Sequence, residues 1–225
     1  MKRAMEAEIL PFVPVVQTGE ALGDIRFRTL VGEEAWLSLP EATRARFGKR
    51  LANCRAALYA GEIVECRMSR AGWLLAQLCR LIGSPLPLSR DTKVPAIVSV
   101  TEHAAYGGQF WVRMYGRASG FPQVIHSSKR FAGPTGLEEY IGCGFGIALR
   151  VEVRGGALHF LSDHYFLGRG RLRIRFPGWF APGRLRITHV DCNHGWFAFT
   201  LQLRHRLFGE MISQTVMFHD VESDA

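Results

Sequence analysis

Residues 142–167 read GCGFGIALRVEVRGGALHFLSDHYFL, and this stretch decides the class of fold. Two apolar runs, rich in branched and aromatic residues, flank the pair Gly155-Gly156. A two-residue loop between antiparallel strands needs backbone conformations with positive φ, which glycine adopts without strain. The stretch therefore predicts a β-hairpin with strands near 142–154 and 157–167.

The same pattern continues on both sides of this hairpin, from Pro95 to the end of the chain. Apolar runs of about eight to twelve residues alternate with glycine-bearing breaks, which is typical of antiparallel β proteins. No segment of helical length intervenes, so successive strands are expected to pair with each other. The further strands are predicted near 96–104, 109–116, 121–131, 171–176, 184–191, 196–206 and 210–219.

These strands are apolar on one side only. Phe197, Phe199 and Leu201 share a face, because side chains two residues apart on a strand point the same way. A sheet of this size rarely leaves both edges open. We therefore predict a mainly β fold in which an antiparallel meander of about eight or nine strands closes into a lipocalin-like barrel. A half-barrel wrapped around a helix at Ser69–Ile82 is the alternative.

The first third of the chain carries the signals of two helices. Pro40 and Glu41 suit a helix start, Phe47 and Leu51 lie four residues apart and would share one face, and Gly48 limits how far this helix extends. Ser69 is a good N-cap for a second helix that ends at Gly83. Its apolar residues recur at helical spacing and are expected to pack on the sheet. They are Ala71, Leu74, Leu75, Leu78, Leu81 and Ile82. Between the helices, Leu58–Cys66 weakly resembles a strand.

The amino-acid composition limits the class of protein to which the chain can belong. Of the 225 residues 48% are hydrophobic and 21% charged, which excludes disorder and permits a sizeable core. We interpret residues 1–225 as one domain, with an N-terminal extension over 1–35, a helical and first-strand region over 36–94, and the β meander over 95–220. The five cysteines are scattered and odd in number, so we expect free thiols in a reducing cytoplasm.

The formal charge of +8 raises the possibility of a nucleic-acid partner. However, residues 1–95 and residues 96–225 each hold 14 basic and 10 acidic side chains, so the sequence contains no basic arm. No zinc-finger spacing, RNA-binding aromatic signature or basic region linked to heptads is present. Nucleic acid is therefore not an expected partner.

A dense basic and aromatic segment lies near residues 169–186. Arginines recur at every second position from residue 169 to residue 175, so on a strand they share a face. Aromatic residues at a loop tip between cations are typical of elements that dock on an anionic membrane surface or cover an acidic ligand. A solvated outer face with the loop folded over one barrel end is the alternative. The residues of this membrane or lid loop are Arg173, Arg175, Trp179, Phe180 and Arg184.

Two further groups of residues have the types that carry chemistry. His189, Asp191 and His194 could ligate zinc or iron, although their spacing matches no established metal motif, and polar residues are common at strand ends. Asp163, Tyr165 and Glu139 could act as acid or base if they lie inside a barrel, where burial would raise the pKa of an Asp. The sequence contains no nucleophile elbow, phosphate-binding loop or dinucleotide-binding fingerprint, and no cofactor is implied.

Short motifs along the chain carry a resemblance to a known family. In chain order they are Leu39-Pro40, Arg46-Phe47, Tyr59-Ala-Gly61, Gly83-Ser-Pro85-Leu-Pro87, Trp111-Val-Arg113-Met-Tyr115-Gly116, Ser127, Glu139-Tyr-Ile-Gly142 and Gly155-Gly156-Ala-Leu158. From about Leu39 to Phe218 the chain resembles a bacterial domain-of-unknown-function family, family 4166, whose members occur alone or appended to dehydrogenase-like proteins. The resemblance implies no activity. It directs attention to Trp111, Arg113, Ser127 and Glu139, and to an Arg113–Glu139 pair that either fixes strand register or holds a polar group of a ligand.

The sequence favours binding of a small apolar or amphipathic molecule inside the barrel. Its predicted ligand-binding residues are Trp111, Arg113, Ser127, Glu139, Tyr165, Phe197, Phe199 and Leu201. An isomerase or cyclase of the same shape is the first alternative, with Glu139, Asp163 or Tyr165 as its acid or base. An accessory domain on an anionic membrane surface, which uses the loop of Trp179, is the second.

Overall fold

The structure is a computed structural model that describes residues 23–52, 55–169 and 172–221. Within these residues eleven strands form one antiparallel sheet. They are β1 (Ala56–Met68), β2 (Pro95–His103), β3 (Gly108–Tyr115), β4 (Gln123–Arg130), β5 (Leu137–Gly142), β6 (Phe145–Arg154), β7 (Ala157–Arg169), β8 (Leu172–Arg175), β9 (Arg184–Asp191), β10 (Trp196–His205) and β11 (Gly209–Asp220).

The sheet closes on itself. β1 pairs with both β2 and β11, β6 pairs with both β5 and β7, and β7 pairs onward to β9. Ten of the described strands therefore form a ring, and β8 pairs only with the last residues of β7, outside that ring. The predicted mainly β fold, an antiparallel meander closed into a barrel, is confirmed, with ten strands in the ring instead of the expected eight or nine, and the half-barrel alternative is wrong.

Two details of the strand prediction are wrong. The stretch 142–154 is not one strand, because Cys143 and Gly144 both have positive φ and form a tight turn between β5 and β6. The segment before it, Leu137–Gly142, is a strand that the sequence analysis did not predict. The weak strand signal at Leu58–Cys66 marks a 13-residue strand, and this strand closes the ring.

Three short helices cover one end of the barrel. They are α1 (Arg26–Val31), α2 (Glu33–Leu37) and α3 (Glu41–Phe47). Phe27 of α1 is fully buried and makes edge-on ring contacts with Phe47, Phe131 and Phe160, which join these helices to the interior of the barrel. Part of the predicted N-terminal extension is thus core. We call this the α3 end of the barrel.

The predicted helix after Ser69 is α4 (Arg70–Leu78), followed by a 3₁₀ turn over Cys79–Ile82. The Ser69 hydroxyl accepts a hydrogen bond of 3.1 Å from the backbone N–H of Gly72 and caps the helix. The helix packs against the start of β11, and the backbone of Ile82 approaches the turn after β5. Both contacts lie at the opposite end of the barrel, which we call the α4 end.

The expected packing of α4 is confirmed in part. Ala71 and Leu75 of the predicted stripe are partly buried and pack against the core beside the buried Gly72 and Ala76, whereas Leu74, Leu78 and Leu81 are exposed. Gly72 is small for a steric reason, since a Cβ there would lie 2.1 Å from the carbonyl oxygen of Met211. None of the helices in the described part of the chain combines the length and the apolar character needed to cross a membrane.

Candidate functional site

Three neighbouring strands bring polar side chains into the barrel. Arg113 on β3, Ser127 and Lys129 on β4, and Glu139 on β5 occupy positions whose side chains point inward. The strand register makes them neighbours, because Ser127 lies opposite Trp111 and Lys129 lies opposite Glu139. Residues that lie 26 positions apart in sequence therefore meet at one place on the inner wall.

Glu139 is the centre of this cluster. Its Oε1 accepts a hydrogen bond of 2.6 Å from the Ser127 hydroxyl and lies 3.2 Å from Nζ of Lys129 and 3.4 Å from a terminal nitrogen of Arg113. Arg113 also donates to the Ser127 hydroxyl at 2.6 Å. The ammonium of Lys129 lies 4.4 Å from the ring centre of Trp111, which adds a cation–π contact. The cluster thus holds two basic groups and one carboxylate.

Burial and charge act in opposite directions on the pKa values of the cluster. Burial alone would raise the pKa of Glu139, but attraction by Lys129 and Arg113, together with hydrogen bonds from Ser127 and Lys129, lowers it to about 2. Burial lowers the pKa of Lys129, and Glu139 partly opposes that effect. Glu139 is therefore ionised over the physiological pH range.

Two polar atoms of the cluster are buried and have no hydrogen-bond partner in the described residues: Nε of Arg113 and Oε2 of Glu139. Such groups are costly in a folded protein unless something else satisfies them. A cavity of about 50 Å³ adjoins the cluster, with Arg113, Lys129 and Gln214 among its polar lining residues. The rest of its wall is mainly apolar and includes Phe160, Ile187, Phe199, Leu201, Val216 and Phe218.

The α4 end supplies one side of this cavity. Pro85 and Pro87 line it, and they belong to the segment that follows α4 and the 3₁₀ turn. The side chain of Gln123 holds this segment in place. Its amide nitrogen donates to the carbonyl oxygens of Ser84 and Leu86 at 3.2 and 2.8 Å, and its oxygen accepts from the N–H of Leu88 at 3.0 Å.

A second, smaller cavity of about 20 Å³ lies toward the α3 end. His189 lines it, is fully buried, and packs between the rings of Phe47, Phe197 and Phe199. Neither ring nitrogen of His189 has a hydrogen-bond partner among the described residues. Burial, and next the charge of Arg46, lower its pKa to about 3, so this imidazole is neutral at physiological pH. Phe199 lines both cavities and lies between them.

Seven of the eight predicted ligand-binding residues lie at or next to the two cavities. The larger cavity is lined by Trp111, Arg113, Phe199 and Leu201, and the smaller one is lined by Phe197. Glu139 contacts Arg113 on the side of that residue away from the cavity lining. Ser127 bridges this pair. Tyr165 does not line either cavity; it packs in the core beside Cys79, where burial raises its pKa to about 12.

Lys129 is the functional candidate that sequence reasoning missed. Lysine in a strand normally faces water, and its position in the segment Ser127-Ser128-Lys129 gave no reason to expect otherwise. The available signal was its spacing, because it lies two residues after Ser127 and so shares its inward face.

Other predicted site residues lie apart from this cluster. Asp163 occupies a bulge of β7, where the register with β6 shifts, and its carboxylate binds Arg150 and His164 near the outer surface. Its pKa is lowered, first by the hydrogen bond with His164. Asp163 is therefore not inside the barrel, and the rise in its pKa that was expected from burial there is wrong.

The three proposed metal ligands are not brought together. His189 is inside the barrel, Asp191 forms an ion pair with Arg46 at 3.3 Å, and His194 lies in an exposed turn. No group of three His, Cys, Asp or Glu side chains that could hold a metal ion is found in the described ranges.

The membrane or lid loop is placed at the α4 end. Trp179 and Phe180 are exposed and in edge contact with each other, and Arg175 is exposed beside them. Arg173 instead turns to the barrel wall, where it pairs with the buried Glu138 and lies 3.8 Å from the ring centre of Phe166. Arg171 lies outside the described residues, so the expected arginine row is described only in part.

The comparisons with known proteins give one match. No curated protein and no solved structure is significantly similar to the chain. The family model described as Domain of unknown function (DUF4166) matches residues 39–218, which include all ten strands of the ring and α4. This match covers well over half of the chain, and the protein therefore belongs to the family Domain of unknown function (DUF4166).

Proposed function

We propose that the barrel binds a small amphipathic molecule with an anionic head. Arg113 and Lys129 would hold the head, and the apolar part would lie along Phe199, Leu201 and Val216. One observation carries the proposal: two buried basic groups share a single carboxylate at the wall of an otherwise apolar cavity.

The physical argument concerns charge compensation. A buried ionised group is costly unless it is paired, and when Lys129 is protonated the cluster has two cations and one anion, so its charge is only partly compensated. A carboxylate or phosphate of a ligand would supply the second negative charge. It would also give an acceptor to Nε of Arg113, which has no partner in the described residues.

The size of the cavity sets a condition on binding. A volume of about 50 Å³ is smaller than the roughly 300 Å³ or more of a typical ligand pocket. A ligand with a long apolar part therefore enters only if the segment over 84–88 moves outward. The hydrogen bonds of Gln123 to this segment are the contacts that such a movement would break.

We favour binding over isomerase or cyclase chemistry. Of the three acid or base candidates, Asp163 faces the outer surface and Tyr165 lines neither cavity. A carboxylate with a pKa near 2, as in Glu139, is a poor proton acceptor at neutral pH and has no proton to donate. The role that suits Glu139 is to orient the two basic side chains.

The test uses ligands that differ only in the head group. Dodecanoate, dodecanol and dodecylamine are titrated into the full-length protein, and binding is measured by calorimetry. We expect dodecanoate to bind most tightly, and Arg113→Gln to weaken it by about tenfold or more, the value of a hydrogen bond to a charged group. His126→Gln, on the outer face of β4, is the matched control.

Native mass spectrometry of the protein as purified complements this titration, since a retained acidic amphiphile would support the proposal. Equal affinity for the three head groups, or carboxylate binding that is indifferent to Arg113→Gln, would overturn the anionic assignment. Absence of binding by all three would overturn the proposal itself.

A further inference from the structure

The most exposed large apolar side chains of the described residues share one location. Four of them have more than 80% of their surface exposed: Leu81, Phe121, Trp179 and Leu207. They come from four separate segments of the chain, namely the 3₁₀ turn after α4 and the connections β3–β4, β8–β9 and β10–β11.

The topology places all four segments at the α4 end. β3 ends where β4 begins, at the edge where Gln123 holds the segment that follows α4. The β10–β11 turn adjoins Met211, on which α4 packs, and β9 starts opposite Arg204 at the end of β10. Further exposed apolar side chains at this end are Trp73, Leu74, Leu78, Ile174, Phe180 and Phe208. The result is a rim of apolar tips around one end of the barrel.

Net positive charge is concentrated at the same end. The described segments there, 65–94, 115–123, 141–146, 172–184 and 203–211, contain eleven Lys or Arg and three Asp or Glu. Two of the eleven are paired with carboxylates, Arg67 with Glu65 and Arg173 with Glu138 in the barrel wall. The segments at the α3 end, 23–52, 55–58, 101–110, 128–138, 152–159, 189–197 and 217–221, contain ten and nine. The α4 end is therefore strongly positive, while the α3 end is almost neutral.

The orientation of α4 adds to this surface. The helix packs Gly72, Ala76 and the partly buried Leu75 against the barrel and leaves Trp73, Leu74 and Leu78 exposed. A helix at the surface of a monomeric protein usually buries most of its large apolar residues. Exposed apolar surface on this scale marks a binding surface.

From these observations we propose that the α4 end docks on the surface of an anionic lipid bilayer. Tryptophan, phenylalanine and leucine tips surrounded by arginine are suited to the interface between lipid head groups and acyl chains. A bilayer accepts separate protruding tips without matching pockets, whereas a protein partner would need a complementary pocket for each of the four. The proposal does not depend on the cavity, although Pro85 and Pro87 connect the cavity wall to this end.

The test is sedimentation of the full-length protein with vesicles of phosphatidylcholine alone or mixed with phosphatidylglycerol. We expect binding to the mixed vesicles, weaker binding to the neutral ones, and a decrease with salt. The combined variant Leu81→Ser, Phe121→Ser, Trp179→Ser and Leu207→Ser should lose about tenfold or more in vesicle affinity.

The control variant carries the same kind of change at the α3 end, with Ile25→Ser, Leu37→Ser, Tyr106→Ser and Val221→Ser. It should bind vesicles like the unmodified protein, and circular dichroism shows whether both variants are folded. A separate pair, Arg117→Glu with Arg206→Glu, should reduce binding to the mixed vesicles while leaving the apolar tips in place.

Three results would overturn the proposal: no binding to mixed vesicles, equal loss in both serine variants, or binding that ignores lipid charge. The competing explanation is self-association through the α4 end, which light scattering detects. It would be supported if the protein formed a dimer that the α4-end variant abolished and if vesicles were not bound. If Arg113→Gln loses dodecanoate binding but binds vesicles as before, the cavity and the α4 end act independently, and each proposal can fail without the other.

Discussion

Lys129 and Glu139 lie opposite each other in the register of β4 and β5, with Nζ 3.2 Å from Oε1, and both side chains are almost wholly buried. Lys129 also stands over the ring of Trp111 on β3. The pair therefore ties three adjacent strands together from the inside of the barrel. Its contribution differs from that of a surface ion pair, because neither group can return to water when the other is removed.

Removal of the carboxylate should destabilise the protein. Glu139→Gln leaves Arg113 and Lys129 buried without a counter-charge, and the expected loss in the free energy of unfolding is about 3–5 kcal/mol. Glu65→Gln, which breaks the exposed pair with Arg67, should cost about 1 kcal/mol or less. Urea denaturation measures both. Similar losses for the two variants would contradict the central position of Glu139.

The buried His189 should make the stability of the protein depend on pH. The unfolded chain takes up a proton at this imidazole near pH 6.5, while the folded protein does so only near pH 3. The free energy of unfolding should therefore fall as the pH decreases through this window, by about 1.4 kcal/mol per pH unit from this group. His189→Phe should flatten the slope, whereas His126→Phe on the outer face should not. An unchanged slope in His189→Phe would contradict the prediction.

Gln123 should control the opening of the cavity. Gln123→Ala removes three hydrogen bonds to the segment over 84–88, so the N–H of Leu88 should exchange with deuterium faster and dodecanoate should bind faster. Hydrogen exchange and stopped-flow mixing measure the two effects. Gln202→Ala, on β10, is the control. If Gln123→Ala changed neither rate, the movement of this segment would not limit entry.

The close approach of α4 to the barrel can be tested at one glycine. Alanine is the better helix former by about 1 kcal/mol, so Gly72→Ala in an isolated helix would be stabilising. Here the added Cβ would lie 2.1 Å from the carbonyl oxygen of Met211, and the variant should lose roughly 1–3 kcal/mol. Gly178→Ala, where no atom lies within 4 Å, is the control. Thermal unfolding measures the stability of both variants, and a stabilised Gly72→Ala would show that α4 can shift away from Met211.

The barrel could be predicted from the sequence because most of its strands are apolar on one side and many of the breaks between them contain glycine. Alternation shows which residues share a face, but it does not show which face points inward. The same limit applies to α4, where helical spacing grouped Leu74 with Leu78 correctly, but these two side chains are exposed while Ala71 and Leu75 of the stripe pack against the core. It also explains why Lys129 was missed, since its burial depends on Glu139 in the next strand.

Charge shows the same limit more clearly. Counted along the chain, basic and acidic residues divide evenly between residues 1–95 and residues 96–225, and this count does not show that one end of the barrel is more positive than the other. The excess becomes localised only after the strands are arranged, since antiparallel order returns every second connection to the same end of the barrel. The arginine-rich loop near Trp179 was the visible part of this asymmetry.

Closure of the ring has a consequence for how the chain acquires its structure. β1 and β11 lie about 150 residues apart in sequence, yet each is the neighbour of the other. During synthesis β1 cannot pair with β11 until almost all of residues 39–218 have left the ribosome. Such long-range pairing is slow, and until it is made the chain carries two unprotected strand edges. A nascent or truncated chain without β11 should therefore be a client of chaperones and prone to aggregate, while closure of the ring pairs β1 and β11 on both of their sides.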